Sequence, residues 1–134
     1  MSNEVEAVRT ALAELLSSLQ NADLDRYKQL VSDTLTCYEP ETLGNRLDGI
    51  GFHLFITARQ SLPKKLHLEL VDPVIRVYGD AAYAAYTLVV SRDDDDAFTV
   101  TAMNETRVFA KEDGLWKMVH FHRSCTGAET YRMD

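Results

Sequence analysis

Apolar side chains recur at intervals of three and four residues along the first twenty positions of the chain. They belong to Val5, Val8, Leu12, Leu15, Leu16 and Leu19. This spacing places them on one side of a helix, so we predict an amphipathic helix over residues 3–20 with one buried stripe. Asp23 is well suited to cap a short second helix that runs to about Val31. A third helix is predicted over residues 51–62, before Pro63, which cannot continue it.

From residue 65 onward the pattern changes to an alternation with period two, which is typical of half-buried strands. The predicted strands are residues 65–79, 81–92, 98–111 and 115–125. Pro73 lies inside the first of them and predicts a bulge or bend, because proline cannot donate to a strand ladder. Helices followed by long antiparallel strands indicate an α+β layer architecture. The length of 134 residues suits one domain that spans residues 1–134.

Composition and charge narrow the class of protein. The net charge is −7 and the pI is near 5.0, so a nucleic-acid partner is not expected. No apolar run is long enough for a membrane span, and charged residues interrupt the apolar pattern of residues 1–20, which argues against a secretory signal. Cys37 and Cys125 match neither a CxxC motif nor a disulfide framework. We therefore expect reduced thiols in a cytoplasmic protein.

Two acidic stretches have ordinary structural explanations. Residues 34–41 are predicted to be extended, and Pro40 is predicted to end the extended backbone. Alternation would put Glu39 and Glu41 on one face, but the proline between them favours turn and capping roles. The four aspartates of residues 93–96 lack the spacing of a calcium loop and predict a solvated hairpin tip.

Residues 104–124, with the sequence NETRVFAKEDGLWKMVHFHRS, are typical of a β-hairpin. A two-residue turn would place Arg107 across from His120, whereas a three-residue loop over residues 112–114 would place it across from Val119. We prefer the loop, because it surrounds the arginines with aromatic and aliphatic side chains. The face that holds the arginines would then contain Glu105, Arg107, Phe109, Val119, Phe121 and Arg123. The opposite face would contain Trp116, Met118, His120 and His122.

The two arginines of this hairpin predict a site for a small anion. A charged side chain on an apolar face must be paired or reach water, because burying a lone charge is costly. Glu105 can neutralise only one of Arg107 and Arg123. The surplus positive charge favours a carboxylate or a phosphate, which fits the planar guanidinium group. The alternative is structural: Glu105 pairs with one arginine, and the other lies at the rim of the sheet.

The histidines raise further alternatives. His120 and His122 lie two residues apart and share a face, which suits a packed surface or a subunit contact formed with Trp116 and Met118. A zinc site would need further ligands that the pattern does not supply, so no metal site is predicted. His53 is either a general base in a cleft or a hydrogen-bonded core histidine.

Two passages of the chain resemble a known family. The hairpin of residues 104–124 is similar to the closing hairpin of the association (hub) domain of calcium/calmodulin-dependent protein kinase II, in which an ETRVW-type strand leads to a VHFHRS strand. YEPETLGNRLDGIGFHLF, residues 38–55, resembles the EPE-LGN-to-FH-F passage of that domain. The DP of residues 72–73 and the YGD of residues 78–80 fit the strands between them. The resemblance extends over about residues 4–124, and we expect a stand-alone relative without a kinase domain.

The resemblance implies the cone-shaped fold of the nuclear transport factor 2-like superfamily, in which a curved antiparallel sheet wraps against three helices and encloses a deep pocket. In the kinase hub, arginines project into this pocket and bind small molecules that carry a carboxylate. Arg107 and Arg123 match two such positions, whereas Leu88 stands in place of a third. The ligand-binding residues that we expect are Arg107, Arg123, Glu105, His53, Tyr38 and Phe121. The resemblance also implies homodimers that can build larger rings, with dimer contacts at Trp116, Met118, His120 and His122.

The function expected from these observations is non-catalytic. It is a self-associating domain whose arginine-lined pocket holds a small anionic ligand, with no cofactor. The alternative is a small enzyme of the same superfamily, as in its polyketide-cyclase-like (SnoaL-like) and ketosteroid-isomerase-like members, with His53 or Tyr38 as acid or base. A third hypothesis is a purely structural hub whose arginines close internal ion pairs.

Overall fold

A computed structural model describes residues 3–59, 65–93 and 96–132 of the chain. Within these residues, the helices are α1 (Asn3–Gln20), α2 (Leu24–Leu30) and α3 (Gly51–Arg59). The strands are β1 (Val31–Tyr38), β2 (Leu47–Asp48), β3 (Lys65–Tyr78), β4 (Ala81–Asp93), β5 (Ala97–Glu112) and β6 (Leu115–Arg132). A 3₁₀ turn, Pro40–Thr42, follows β1. The predicted α+β class is confirmed. The predicted end of the third helix, residues 60–62, and two aspartates of the predicted hairpin tip, residues 94–95, lie outside the described residues.

The first two helices form where the apolar spacing predicted them. The stripe of α1 that faces the sheet includes the buried Val8, Leu12 and Leu15. Asp23 caps α2, because its carboxylate accepts a hydrogen bond from the backbone N–H of Arg26 at 3.2 Å. α1 packs against β3 and β6, and α2 packs against β1 and β6. None of the described helices is long and apolar enough to cross a membrane.

The strands of the described chain form one open, curved sheet in the order β2-β1-β6-β5-β4-β3. The four long strands pair with their neighbours in the chain in antiparallel fashion, as predicted. β1 adds to them by pairing in parallel with β6, and the short β2 extends that edge. The register of β3 shifts between Val71 and Val74, where Asp72 has a φ of +50°. The bulge that we predicted at Pro73 is therefore confirmed.

The turn between β5 and β6 is shorter than predicted. Glu112 pairs with Leu115, and the two residues between them, Asp113 and Gly114, have φ values of +52° and +80°. Two consecutive positive φ values are characteristic of a type I′ turn, whose twist matches that of the flanking strands. The predicted three-residue loop is therefore wrong.

A bulge in β6 also changes the predicted register of this hairpin. Phe109 pairs with Met118, but the preceding residue, Val108, pairs with His120. Val119 is therefore an extra residue on β6. An extra residue reverses the alternation of side chains from that point onward. In consequence, the two halves of β6 present opposite sets of residues to the core.

The bulge separates residues that we predicted on one face. Trp116 and Met118, on the turn side of the bulge, are buried in the core. Beyond the bulge Phe121 is buried in the core, and His120 and His122 lie on the outer face of the sheet. The prediction that Trp116 and Met118 accompany the histidines in a dimer contact is therefore wrong, because side chains buried within one protomer are not available to another.

Candidate functional site

A cavity of about 520 Å³ lies between the helices and the inner face of the sheet. Its apolar wall includes Leu16 and Leu19 of α1, Phe52 and Ile56 of α3, and Leu88 and Val90 of β4. Four of the predicted ligand-binding residues line it, namely His53, Arg107, Phe121 and Arg123. Glu105 lies behind the arginines and contacts both of them. An apolar cavity with a few convergent polar groups is the usual form of a small-molecule site.

Arg107 is fixed by its neighbours at the floor of this cavity. Its side chain is 1% exposed. Its Nε donates to the Tyr86 hydroxyl at 2.8 Å, and its Nη2 donates to Glu105 Oε1 at 3.2 Å. Its Nη1 lies 3.1 Å from Sδ of Met118. The Tyr86 hydroxyl in turn donates to Glu105 Oε1 at 2.6 Å. Each nitrogen of this guanidinium group therefore has a partner within the protein.

Arg123 shares Glu105 with Arg107 but is more open. Its Nε donates to Glu105 Oε2 at 2.9 Å, and its Nη1 donates to Glu41 Oε1 at 3.3 Å. The side chain of Arg123 is 18% exposed, and that of Glu41 is 43% exposed. The expected turn or capping role of Glu41 does not account for this ion pair. Glu41 therefore offsets part of the surplus positive charge that we predicted here.

Phe121 and Glu105 hold the two guanidinium groups in place. The Cζ atoms of Arg107 and Arg123 lie 3.9 Å and 5.0 Å from the centroid of the Phe121 ring, where its quadrupole attracts a cation. Burial acts to raise the pKa of Glu105, but the positive charges of the two arginines hold that pKa below its usual range. Glu105 is therefore ionised at neutral pH and orients both arginines.

β4 supplies a further arginine to the cavity. Leu88, which stands where the resemblance implied an arginine, is buried in the wall. Arg92 lies four residues further along the strand, and therefore on the same face, at an exposed part of the lining. We did not predict Arg92, although the alternation from Leu88 through Val90 is the sequence signal that indicates its direction.

His53 is held by two hydrogen bonds in the same cavity. Its Nε2 lies 2.6 Å from Glu39 Oε2, and its Nδ1 lies 2.8 Å from the Tyr27 hydroxyl. The Sγ atom of Cys37 is 3.7 Å from both Glu39 Oε2 and His53 Nε2. We did not predict these partners of His53. The available signal is that Cys37 and Glu39 are two residues apart in an extended segment and therefore share a face.

Burial governs the protonation of this group of side chains. It raises the pKa of the Cys37 thiol to about 12, and the nearby Glu39 carboxylate adds to the effect. The thiol is therefore protonated at neutral pH and is not activated as a nucleophile. Burial also raises the pKa of the Tyr27 hydroxyl. For Glu39, burial acts to raise the pKa, but the hydrogen bond from His53 and its charge hold that pKa below its usual range.

Tyr38 lies on the outer face of the sheet and not in the cavity. It pairs in register with His122, and its ring centroid lies 5.5 Å from that of His122 and 5.8 Å from that of His120. Thr36 Oγ1 lies 2.7 Å from Nδ1 of His120. Alternation along β1 explains this, because the neighbouring Cys37 points into the core. The placement contradicts the predicted ligand-binding role of Tyr38, which instead forms an outer-face cluster with His120 and His122.

Comparisons with known proteins identify the family. The family described as the calcium/calmodulin dependent protein kinase II association domain matches residues 4–127. The chain belongs to this association domain family. It is 36% identical over 115 residues to calcium/calmodulin-dependent protein kinase type II subunit delta of Oryctolagus cuniculus, a match that covers 83% of this chain and 22% of that protein. The association domain described here therefore spans about a fifth of the length of this curated relative.

Solved structures have the same fold. The hub of the S. rosetta kinase (CaMKII) matches with a TM-score of 0.85 and 35% identity, over 94% of this chain and 99% of that chain. A member of the NTF2-like family from Streptomyces avermitilis, proposed to be a dehydratase, matches with a TM-score of 0.78 and 19% identity, over 93% of this chain and 97% of that chain. The second likeness shows the fold alone. Together they confirm the predicted nuclear transport factor 2-like fold and the predicted resemblance to the kinase hub.

Proposed function

We propose that this association domain is a self-associating, non-catalytic module whose cavity holds a small molecule that carries a carboxylate. The observation that carries the proposal is the setting of Arg123. Its guanidinium group reaches an apolar cavity and has one buried partner, Glu105, and one exposed partner, Glu41. Apolar walls would supply affinity for the rest of the ligand, and the cation would fix its orientation.

Arg107 and Arg123 have different roles in the cavity. Every nitrogen of Arg107 is engaged by the protein, so we assign it the role of holding Glu105. Arg123 donates to Glu41 at 3.3 Å, which is longer than the roughly 2.7–2.9 Å of a strong charge-assisted hydrogen bond. A ligand carboxylate can take the place of the exposed Glu41 at Nη1 of Arg123. Arg92 adds positive charge at an exposed part of the lining.

A thermal-shift screen of small carboxylates and phosphates tests this proposal. A ligand at about 100 times its Kd should stabilise the wild type by about 2.7 kcal/mol. Arg123→Ala should lose that shift. Arg9→Ala, which removes a half-exposed arginine of α1, is the matched control and should keep it. If no small anion raises the melting temperature of the wild type, or if Arg123→Ala responds as the wild type does, the cavity does not serve this purpose.

Self-association is supported by the family, whose members are named association domains and hubs. We place the homodimer contact at the outer-face cluster of Tyr38, His120 and His122; larger rings would need further contacts. Light scattering should give the wild type a mass that is a multiple of 15.1 kDa. The double variant His120→Glu/His122→Glu should dissociate, because carboxylates would be buried in the contact. His67→Glu, at an exposed histidine of β3, should not. A monomeric wild type would contradict the proposal.

An acid–base enzyme is the alternative function. His53 shares the cavity with Arg107, as such a mechanism requires. However, both nitrogens of the His53 ring are already hydrogen-bonded, one to Glu39 and one to Tyr27. A ligand would have to displace Glu39 or Tyr27 before it could exchange a proton with this ring. This arrangement favours the non-catalytic function.

A further inference from the structure

Three buried side chains of different chemistry converge beside the cavity. The donor atoms Cys37 Sγ, Glu39 Oε2 and His53 Nε2 all lie within 4.8 Å of one another. The sulfur is 3.7 Å from both the oxygen and the nitrogen, and the oxygen is 2.6 Å from the nitrogen. In a tetrahedral zinc site, bond lengths of about 2.0–2.3 Å separate such ligand atoms by about 3.3–3.6 Å. Two of the three separations already come close to these values, and the third must open by about 0.7 Å.

The orientation of His53 suits a metal ligand better than a Cys–His catalytic pair. In such a pair, one ring nitrogen contacts the thiol and a third group orients the base. Here the same nitrogen, Nε2, faces both Cys37 and Glu39, whereas Nδ1 is bonded to the Tyr27 hydroxyl. When Nδ1–H donates to an oxygen, Nε2 is left with the lone pair that binds a metal ion. In the metal-free protein Nε2–H donates to the Glu39 carboxylate, so a metal ion would have to displace that proton. With Nδ1–H then donating to its hydroxyl, Tyr27 would be the outer partner of a ligating histidine.

We propose that Cys37, Glu39 and His53 bind a zinc ion through Sγ, Oε2 and Nε2. Thiolate, carboxylate and imidazole are the ligand types that Zn²⁺ takes in proteins. Binding displaces two protons to solvent, that of the Cys37 thiol and the one that Nε2 of His53 donates to Glu39, while Nδ1 keeps its proton toward Tyr27. One thiolate and one carboxylate then balance the two charges of the ion. Glu39 and His53 line the cavity, so a fourth ligand position faces the cavity and is open to water or to an anion. We did not predict this site, because residues 37, 39 and 53 match no standard ligand spacing.

Cobalt(II) substitution tests the wild-type protein directly. Metal-free protein in a reducing buffer is titrated with Co²⁺ and then with Zn²⁺. One equivalent of cobalt per chain should give tetrahedral ligand-field absorption together with a thiolate-to-cobalt charge-transfer band, and Zn²⁺ should abolish both. Absence of the charge-transfer band overturns the proposal without any need of variants. If cobalt binds but gives no such band, the ion occupies a site without sulfur, such as His120 and His122, and the proposal is also overturned.

Variants locate the sulfur ligand. Cys37→Ser should lose the charge-transfer band, and Cys125→Ser, the same change at an exposed cysteine of β6, should keep it. Tyr27→Phe should keep the band but weaken zinc binding by about 10- to 100-fold, which is typical when an outer partner of a ligating histidine is removed. A band that persists in Cys37→Ser, or that disappears in Cys125→Ser, overturns the proposal.

Discussion

Glu105 carries the negative charge that Arg107 and Arg123 share, and Glu105→Gln removes this charge while it keeps the shape of the side chain. Arg107 would remain 1% exposed without an anion in contact, because its other described partners are the Tyr86 hydroxyl and the Met118 sulfur. Breaking a buried ion pair by removing one partner costs about 3–5 kcal/mol. A domain of this size has a total stability of about 5–15 kcal/mol, so the variant should lose a large part of it.

Urea denaturation at neutral pH measures this loss. The fluorescence of Trp116, the single tryptophan, reports unfolding because its side chain is buried in the core. The unfolding midpoint should fall while the slope m stays constant. Glu6→Gln, in a half-exposed ion pair with Arg9 at 3.6 Å, is the matched control and should change stability by about 0–1 kcal/mol. A loss in Glu105→Gln no greater than in this control would refute the reasoning.

The double variant Glu105→Gln/Arg107→Met separates two causes of the loss. If the stranded charge of Arg107 is responsible, removing that charge should recover much of the stability, because buried ion pairs can often be replaced by apolar residues at little cost. If the double variant is as unstable as Glu105→Gln alone, the cause is instead the loss of the hydrogen bonds that join these residues to Tyr86.

Acidification, the β5–β6 turn and the α2 cap provide further tests. Folding lowers the pKa values of Glu105 and Glu39 from an ordinary 4.5, so their contribution to the unfolding free energy is present above pH 4.5 and is lost as the pH falls below it. Urea titrations between about pH 6 and pH 3 should show this decline, and a flat profile would contradict it. Gly114→Ala should cost about 1–2 kcal/mol in urea denaturation because its φ is +80°, whereas Gly127→Ala, without a positive φ, should cost clearly less. Asp23→Ala should cost about 1 kcal/mol by thermal unfolding and Asp23→Asn much less, because asparagine keeps the capping oxygen; equal losses would exclude a capping role.

The helices and long strands could be predicted because each carries its apolar period within its own sequence. The stripe of α1 and the alternation along β4 need no knowledge of distant residues. Asp23 and Pro73 also act locally, one as a cap and one at a bulge. The family resemblance added the curvature of the sheet and supported the shared apolar face of Arg107 and Arg123, which the residue pattern already favoured.

The rest of the site depends on single-residue events and on distant contacts. The bulge at Val119 reverses the faces of β6, and no glycine or proline marks it in the sequence. Glu41 reaches Arg123 from 82 positions away along the chain, and the short turn that carries it leaves no periodic signal. His53 of α3 is hydrogen-bonded to Glu39, which directly follows β1, only in the folded chain. These contacts form only when the sheet is assembled, so the local periodicity of the sequence cannot predict them.

His120, Phe121 and His122 put the cavity and the outer-face cluster on opposite sides of one stretch of backbone. A molecule held by Arg123 would rest on the ring of Phe121, and a neighbouring protomer on the histidines one residue away. If either the ligand or the neighbouring protomer stiffens this stretch when it binds, less conformational entropy is lost when the second of them binds. Such coupling is reciprocal: a ligand that tightens assembly is itself held more tightly, by the same factor, in the assembled state. If the proposed ligand and the proposed contact share this strand, the degree of assembly would depend on what the cavity contains.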